Sequence, residues 1–262
     1  CKKLFGEEHP NITPSLMNLA QFYMIQGRYD EAEPLFLQAL EMTKKLTGLE
    51  DPVVTPCCLQ QLASLYVAQG RYKEAEPLYF EALEMRKRLL GDEHPETVVC
   101  LEQLASLYVA QGRHKEAELL SLQALETKKK LLGEEHPSVA VSLHNLANLS
   151  LAKGGDEATE FLSLQSLEIL RQSLGDEHPF VATSLQNLAA HYFAQGRYDE
   201  AESLFLQALE MDKKLLGDEH PSVATSLHNL ANLYDHQGRY DEAETLYLQA
   251  LEMGQKFLGD GH

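Results

Sequence analysis

The residues best suited to chemistry in this sequence are an aspartate, a glutamate and a histidine that stand side by side in three places. They occupy Asp92 to His94, Asp176 to His178 and Asp218 to His220. Such a set could bind a metal ion or transfer protons. A catalytic site needs one special geometry, however, whereas this set recurs along the chain just ahead of predicted helices. We therefore interpret it as loop and helix-cap structure.

The familiar catalytic motifs do not occur in the chain. The sequence has no Gly-x-x-x-x-Gly-Lys phosphate loop, no His-Glu-x-x-His and no Gly-x-Ser-x-Gly. We expect no catalytic residue, no metal site and no cofactor. The chain is therefore predicted not to be an enzyme.

The three sets belong to a self-similarity that runs along the whole chain. A Leu-Gly-Asp-Glu-His-Pro segment or a close variant recurs at residues 5–10, 90–95, 132–137, 174–179 and 216–221, and a degraded copy stands at 47–52. A second marker, typically Gln-Gly-Arg-Tyr, places a glycine at 27, 70, 112, 154, 196 and 238. The spacing of these glycines is 42 residues, except for 43 between the first two. The chain is thus predicted to contain six copies of one unit.

Each copy has the apolar pattern of two helices. In the first copy, apolar residues follow a helical period at Leu16, Leu19, Ala20 and Tyr23, and Gly27 is suited to end that helix. A second helix carries alanine, phenylalanine and alanine at 32, 36 and 39. The proline of each His-Pro pair then suits the first position of the next helix. Every copy therefore predicts a pair of antiparallel helices joined by a short turn.

These residues resemble the tetratricopeptide repeat, in the 42-residue form typical of kinesin light chains and related bacterial proteins. The fifth copy carries the pattern at Leu185, Leu188, Ala189, Tyr192, Ala201, Phe205 and Ala208. The sixth copy carries it at Leu227, Leu230, Ala231, Tyr234, Ala243, Tyr247 and Ala250. The near-identity of these two copies resembles the bacterial arrays. The resemblance implies an all-α fold, a right-handed superhelical solenoid of about six antiparallel helix pairs.

We expect one repeat array over residues 1–262, with residues 1–5 as the tail of a preceding helix. The predicted repeats span about 10–47, 52–90, 95–132, 137–174, 179–216 and 221–258. The chain starts at Cys1 rather than at a methionine, which suggests a piece of a longer protein. The last helix should leave Tyr247, Leu248 and Leu251 partly exposed, so we predict end-to-end self-association.

Charge and cysteines limit the partners and the compartment. The net charge of −18 disfavours nucleic acid and anionic membranes, because both present phosphate. No apolar run is long enough to span a bilayer. Cys58 and Cys100 fall at equivalent positions on neighbouring helices, roughly 8–10 Å apart and beyond disulfide reach. Reduced thiols favour a cytoplasmic protein.

A row of polar side chains on the first helices predicts where a partner binds. Stacked pairs should expose the face opposite the leucine–alanine–tyrosine stripe as a concave groove. The groove row comprises Asn18, Gln61, Gln103, Asn145, Asn187 and Asn229, with Asn148 and Asn232 one turn further on and His144 and His228 beside them. An amide both donates and accepts, so it can pair with any peptide backbone. Alternatively, these asparagines form hydrogen bonds within their own helix pair.

The predicted function is a protein–protein interaction scaffold that binds a peptide or protein segment in the groove, as a cargo or assembly adaptor like the kinesin light chains. No Lys or Arg lies in the main run of any first helix. We therefore expect a neutral or basic, partly apolar partner rather than an acidic one. The alternative is a self-assembly or sensing module whose groove holds another part of its own full-length chain.

The fourth copy departs from the pattern. Ser150 replaces the tyrosine, Thr159 and Ser166 replace alanines, and residues 153–156 replace Gln-Gly-Arg-Tyr. The additional glycine and the lost aromatic packing should weaken this unit. We predict a softer joint, with faster hydrogen exchange in residues 150–160 than in residues 192–202.

Overall fold

The computed structural model describes residues 12–47, 53–152, 154 and 157–259, and these contain twelve α-helices and no strand. In chain order the helices are α1 Ile12–Ile25, α2 Tyr29–Thr47, α3 Val54–Ala68, α4 Tyr72–Leu90, α5 Pro95–Ala110, α6 His114–Leu132, α7 Pro137–Ala152, α8 Glu157–Leu174, α9 Pro179–Ala194, α10 Tyr198–Leu216, α11 Pro221–His236 and α12 Tyr240–Gly259. Odd-numbered helices are the first of each pair and even-numbered helices the second. The predicted helix tail at 1–5, most of the degraded copy at 47–52, and residues 153, 155 and 156 lie outside the described residues.

The chain divides into two compact units, Cys1–Leu131 and Leu132–His262. In the first unit, α2 packs on both α1 and α3, and α4 packs on both α3 and α5. In the second unit, α8 packs on α7 and α9, and α10 packs on α9 and α11, while α12 packs on α11. First helices of successive pairs are also in contact: α1 contacts α3, and α9 contacts α11. The predicted fold class, all-α with about six antiparallel helix pairs, is confirmed.

Small residues let the two helices of a pair approach closely. Ala32 and Ala39 of α2 and Ala20 of α1 are fully buried, and Phe36 fills the space between them. Leu19 departs from the predicted stripe, because 42% of it is exposed whereas Leu62, its equivalent in α3, is 2% exposed. The reason is that α3 packs against α2, while α1 is the first described helix of its unit. The position that Leu19 and Leu62 share thus serves contacts between repeats.

The turn inside each pair ends the first helix and starts the second. At the second pair, Gly70 has a φ of +73°, which favours glycine, and the Arg71 N–H donates to the Tyr66 carbonyl at 2.8 Å. This bond closes a Schellman-type end that satisfies one of the last carbonyls of α3. The same turn directs the Arg71 side chain back over α3, the helix that the turn ends.

That arginine ties neighbouring repeats together. The Arg71 guanidinium lies 4.0 Å from the centre of the Tyr66 ring, and its Nη1 donates to Glu33 Oε2 of the preceding pair at 2.7 Å. The Tyr66 hydroxyl donates to the same Glu33 carboxylate at 3.0 Å. Equivalent Arg–Tyr–Glu sets are Arg113 with Tyr108 and Glu76, Arg197 with Tyr192 and Glu160, and Arg239 with Tyr234 and Glu202.

The histidines of the Asp-Glu-His sets cap helices. Nδ1 of His94 accepts a hydrogen bond from the Glu96 N–H at 3.2 Å, and Nδ1 of His220 accepts one from Ser222 at 3.1 Å. His178 does the same at the start of α9. The interpretation of these sets as helix caps is confirmed. Among the residues that the structure describes, no three His, Cys, Asp or Glu side chains are grouped so that they could hold a metal ion.

Candidate peptide-binding surface

The predicted groove residues all lie on first helices, in two groups that belong to different units. The six amides of the groove row are half-buried except for two that are exposed: Asn18 on α1 and Asn145 on α7. His228 and Asn148 are exposed, whereas His144 and Asn232 are half-buried. The helical period of the first helix accounts for this placement, because its leucines and alanines turn the opposite way into the core.

A cavity of about 320 Å³ opens on this face in the first unit. It is lined by Ser64, Val67, Tyr79, Val99, Glu102, Gln103, Ser106 and Leu107. The lining belongs to α3 and α5, with the Tyr79 ring of α4 beneath them. Apolar walls with a few polar groups suit an apolar side chain whose neighbouring backbone forms hydrogen bonds. Among the predicted groove residues, this cavity includes Gln103.

Two amides join neighbouring first helices at this cavity. Gln60 Nε2 of α3 donates to Gln103 Oε1 of α5 at 2.5 Å, and it also lies 3.4 Å from Cys100 Sγ. The bond uses the carbonyl half of the Gln103 amide and leaves its amino half to donate to a ligand. Cys57, Cys58 and Cys100 form no disulfide, and burial raises the pKa of the Cys100 thiol to about 11.

The second unit brings three predicted groove residues into one cluster. His144 Nε2 lies 2.9 Å from Asn148 Nδ2 on the same helix and 3.0 Å from Asn187 Nδ2 on α9. Both amides donate to the ring nitrogen in this arrangement, which requires the imidazole to be neutral. Burial lowers the pKa of His144 and so favours that neutral form. The cluster links the fourth and fifth helix pairs across the groove face.

The last pair uses its groove residues differently. The Tyr247 hydroxyl of α12 donates to Asn232 Oδ1 of α11 at 2.5 Å, and the His228 ring meets the Tyr247 ring edge-on at 5.4 Å. Asn232 therefore has a hydrogen bond within its own helix pair. In the second pair, the hydroxyl groups of Ser64 and Tyr79 are similarly joined at 2.8 Å. A tyrosine on the second helix thus orients the polar side chain at this groove position.

One row of residues near the groove was missed by the sequence reasoning. It lies on the second helices, where one position carries a different residue in successive pairs: Thr43, Arg86, Leu170 and Asp212 are buried there, and Lys128 is half-buried. Lys128 Nζ pairs with Glu102 Oε1 at 2.5 Å. Asp212 Oδ2 accepts from Gln186 Nε2 at 2.8 Å and from Ser226 Oγ at 2.7 Å. The signal was the change of charge at a position that lies two residues after a glutamate retained in every copy.

One member of this row lies beside the first-unit cavity. Lys128 of α6 forms an ion pair with Glu102 of α5, the acidic side chain of the cavity lining. Because Lys128 lies on a second helix, the absence of Lys and Arg from the first helices did not predict this cation.

No described helix is both long enough and apolar enough to cross a membrane.

Two family models described as tetratricopeptide repeat match the sequence, one at residues 55–130, 156–214 and 185–256 and the other at 15–53. The chain belongs to the tetratricopeptide repeat family. Its repeats are of the kinesin-light-chain-like type, and the general role of such an array is that of a protein–protein interaction scaffold. The bacterial origin suggested by the sequence stays a prediction.

Solved structures agree with this assignment. A candidate kinesin light chain from Podosopora anserina, built of nearly identical TPR-like repeats, is 33% identical with a TM-score of 0.67, covering 79% of this chain and 98% of that one. BtubC (BKLC) from P. vanneervenii is 24% identical with a TM-score of 0.75, covering 89% and 93%. A Rap protein complexed with competence and sporulation factor shares the fold, at 15% identity and a TM-score of 0.58, covering 93% and 75%. A search of the curated proteins finds no match.

Proposed function

We propose that this tetratricopeptide repeat array binds an extended segment of a partner protein along the groove face of its first helices, in the role of a cargo or assembly adaptor. The observation that carries the proposal is the first-unit cavity, where apolar walls from Val67 and Val99 meet polar groups from Ser64, Gln103 and Ser106. Such a mixture suits a peptide, because the cavity takes one side chain while the amides pair with its backbone.

The spacing of the groove amides fits the same ligand. Neighbouring first helices lie roughly 10 Å apart, and an extended peptide advances about 3.3 Å per residue, so one helix meets about every third residue. The likeness to a candidate kinesin light chain supports the adaptor role, and the Rap complex is an example of this fold holding a partner.

The proposed segment is neutral or basic. Glu102 is the charged member of the first-unit cavity lining, and the net charge of the whole chain is −18. A negatively charged segment would be repelled by that excess, and Lys128 beside the cavity is already paired with Glu102.

The test is binding of the purified chain to an unbiased peptide library. Ser106→Tyr fills the cavity from an exposed position, and Gln123→Tyr, on exposed α6 surface, is the matched control. We expect Ser106→Tyr to lose binding and Gln123→Tyr to retain it. An Asn145/Asn187/Asn229→Ala triple variant tests the second unit in the same way. Binding that survives in both groove variants would move the site elsewhere, and no binding by the native chain would favour a groove filled in cis.

A second proposal concerns α12, the last described helix. We propose that α12 associates end to end with a second copy, because Leu248 and Leu251 are 58% and 57% exposed around a cavity of about 380 Å³. Leu209, the equivalent of Leu251 in α10, is 8% exposed because α11 packs against that helix. Sedimentation should show association that Leu251→Glu abolishes, whereas a native chain that stays monomeric at millimolar concentration would refute it.

A further inference from the structure

The outer face of α8 carries an apolar cavity that the groove does not explain. The cavity has a volume of about 640 Å³ and includes Phe161, Leu164 and Ile169 of that helix. Phe161 is 64% exposed and Leu164 is 44% exposed, while Ile169 forms a buried floor. Large exposed side chains gathered around a concavity are unusual on a surface that contacts only water.

Comparison between the copies shows that the aromatic ring is particular to the fourth pair. The position of Phe161 is proline in the first two copies, Leu119 in the third, Ser203 in the fifth and Thr245 in the sixth. The repeat fold therefore does not require an aromatic ring here. Leu206, the equivalent of Leu164 in α10, is 43% exposed. The exposure of Leu164 is thus shared with α10, and the exposed Phe161 ring is what distinguishes α8.

The rim of the cavity is acidic. Glu134 and Glu135, from the loop before α7, and Glu168 of α8 supply three carboxylates. The one cation of the lining is Arg171, whose Nε lies 3.6 Å from Asp176 Oδ1. An occupant with positive charges flanking its apolar face would complement this rim.

The shape favours a helix over an extended strand. The cavity follows α8 from Phe161 to Arg171, which is about 15 Å at 1.5 Å per residue. The backbone of α8 is hydrogen-bonded within the helix, so it offers an extended peptide no partners over the apolar floor. A helix satisfies its own backbone and needs only an apolar stripe of about three turns.

We propose that the outer face of α8 docks a cationic amphipathic helix of a partner protein, at a second site separate from the groove. Apolar side chains of that helix pack on Phe161 and Leu164, and its lysines or arginines meet Glu134, Glu135 and Glu168.

The probe is a synthetic 14-residue helix of leucine and lysine with a helical apolar period, labelled for fluorescence anisotropy. Phe161→Ser should weaken its binding about tenfold or more, because the change removes the main apolar contact. Leu206→Ser, the matched control on α10, should change it less than about twofold. Both variants keep the net charge, so attraction by charge alone is equal in them. Phe161→Ser installs the residue that copy five carries, and a thermal melt confirms that it folds.

Two further measurements complete the test. A Glu134/Glu135/Glu168→Gln variant should weaken binding and reduce its salt dependence, whereas Ser106→Tyr in the groove should leave it unchanged. Equal effects of Phe161→Ser and Leu206→Ser, or none from either, would overturn the proposal. Sedimentation showing a dimer of the chain that Phe161→Ser dissociates would also overturn it, since the occupant would then be a second copy.

Discussion

The fourth and fifth helix pairs lie side by side in one compact unit and pack their helices differently. The fifth pair buries the aromatic rings of Tyr192 and Phe205. The fourth has serine at both equivalent positions, 150 and 163, and buries Ser166 where the fifth has an alanine. The Ser166 hydroxyl donates to the Ala140 carbonyl of α7 at 2.8 Å.

The difference teaches how this repeat tolerates change. Both pairs form full-length helices and stack on each other, so the aromatic residues are not needed to specify the fold. A polar contact such as that of Ser166 satisfies a buried hydroxyl, but it contributes less than the burial of a ring. The fourth pair therefore keeps its geometry with less stabilisation, and it carries an exposed Phe161 on its outer face where the fifth pair has Ser203.

The largest expected effect comes from giving the fifth pair the core of the fourth. Phe205→Ser removes a ring that is 3% exposed, and it should lower the free energy of unfolding by about 3–5 kcal/mol. Urea denaturation followed by circular dichroism measures it. Leu206→Ser next to it, at a half-exposed position, should cost about 1 kcal/mol or less. Similar losses in the two variants would mean that Phe205 is not the main support of this pair.

The next effect concerns local opening. Amides in residues 157–163 of α8 should exchange hydrogen about tenfold faster than those in residues 199–205 of α10, because less apolar surface holds that part of α8. The later halves of the same helices, residues 165–171 and 207–213, serve as the internal comparison. Equal hydrogen-exchange protection in residues 157–163 and 199–205 would contradict the softer joint predicted from the sequence.

A smaller effect isolates the hydrogen bond between the two pairs. The Tyr192 hydroxyl donates to Glu160 Oε1 at 2.9 Å, and Tyr192→Phe removes only that bond. We expect a loss of about 1 kcal/mol in unfolding free energy. Burial would raise the pKa of Glu160, but hydrogen bonds from Arg197 and Tyr192 outweigh it and lower that pKa. The stabilisation by this hydrogen bond is therefore present above the ordinary pKa of 4.5 and is lost as the pH falls through the lowered value. The unfolding free energies of the native chain and of Tyr192→Phe should therefore converge in acid.

The smallest expected effect is a pH dependence at the groove. Burial lowers the pKa of His144 below its ordinary value of 6.5, so the folded state favours the neutral ring. As the pH falls below 6.5, the unfolded chain takes up this proton first and the fold loses stability. On acidification, the Tm of the His144→Gln variant should therefore fall by about 1 °C less than the Tm of the native chain. His228→Gln, at an exposed position, is the control, and an identical pH profile for all three chains would exclude His144 as the cause.

Much of the architecture follows from local sequence signals. The 42-residue spacing, the helical period and the His-Pro pairs predict the helix pairs. The histidine caps occur where the Asp-Glu-His sets recur in the sequence. The groove face could be predicted for the same reason, since the helical period alone determines which side chains point away from the stripe at Leu16 and Ala20. These features depend on residues close together in the chain.

Only the tertiary structure decided which of those side chains meet. Asn187 reaches His144 across 43 positions, and Gln60 reaches Gln103 across the same interval, whereas Asn232 bonds to Tyr247 of its own pair. The row of second-helix residues from Thr43 to Asp212 and the cavity beside Phe161 also depend on packing between helices. The sequence by itself determined the helices and their exposed faces, because local periodicity controls them. The contacts between successive pairs required the structure, because they depend on how stacked helices are rotated against one another.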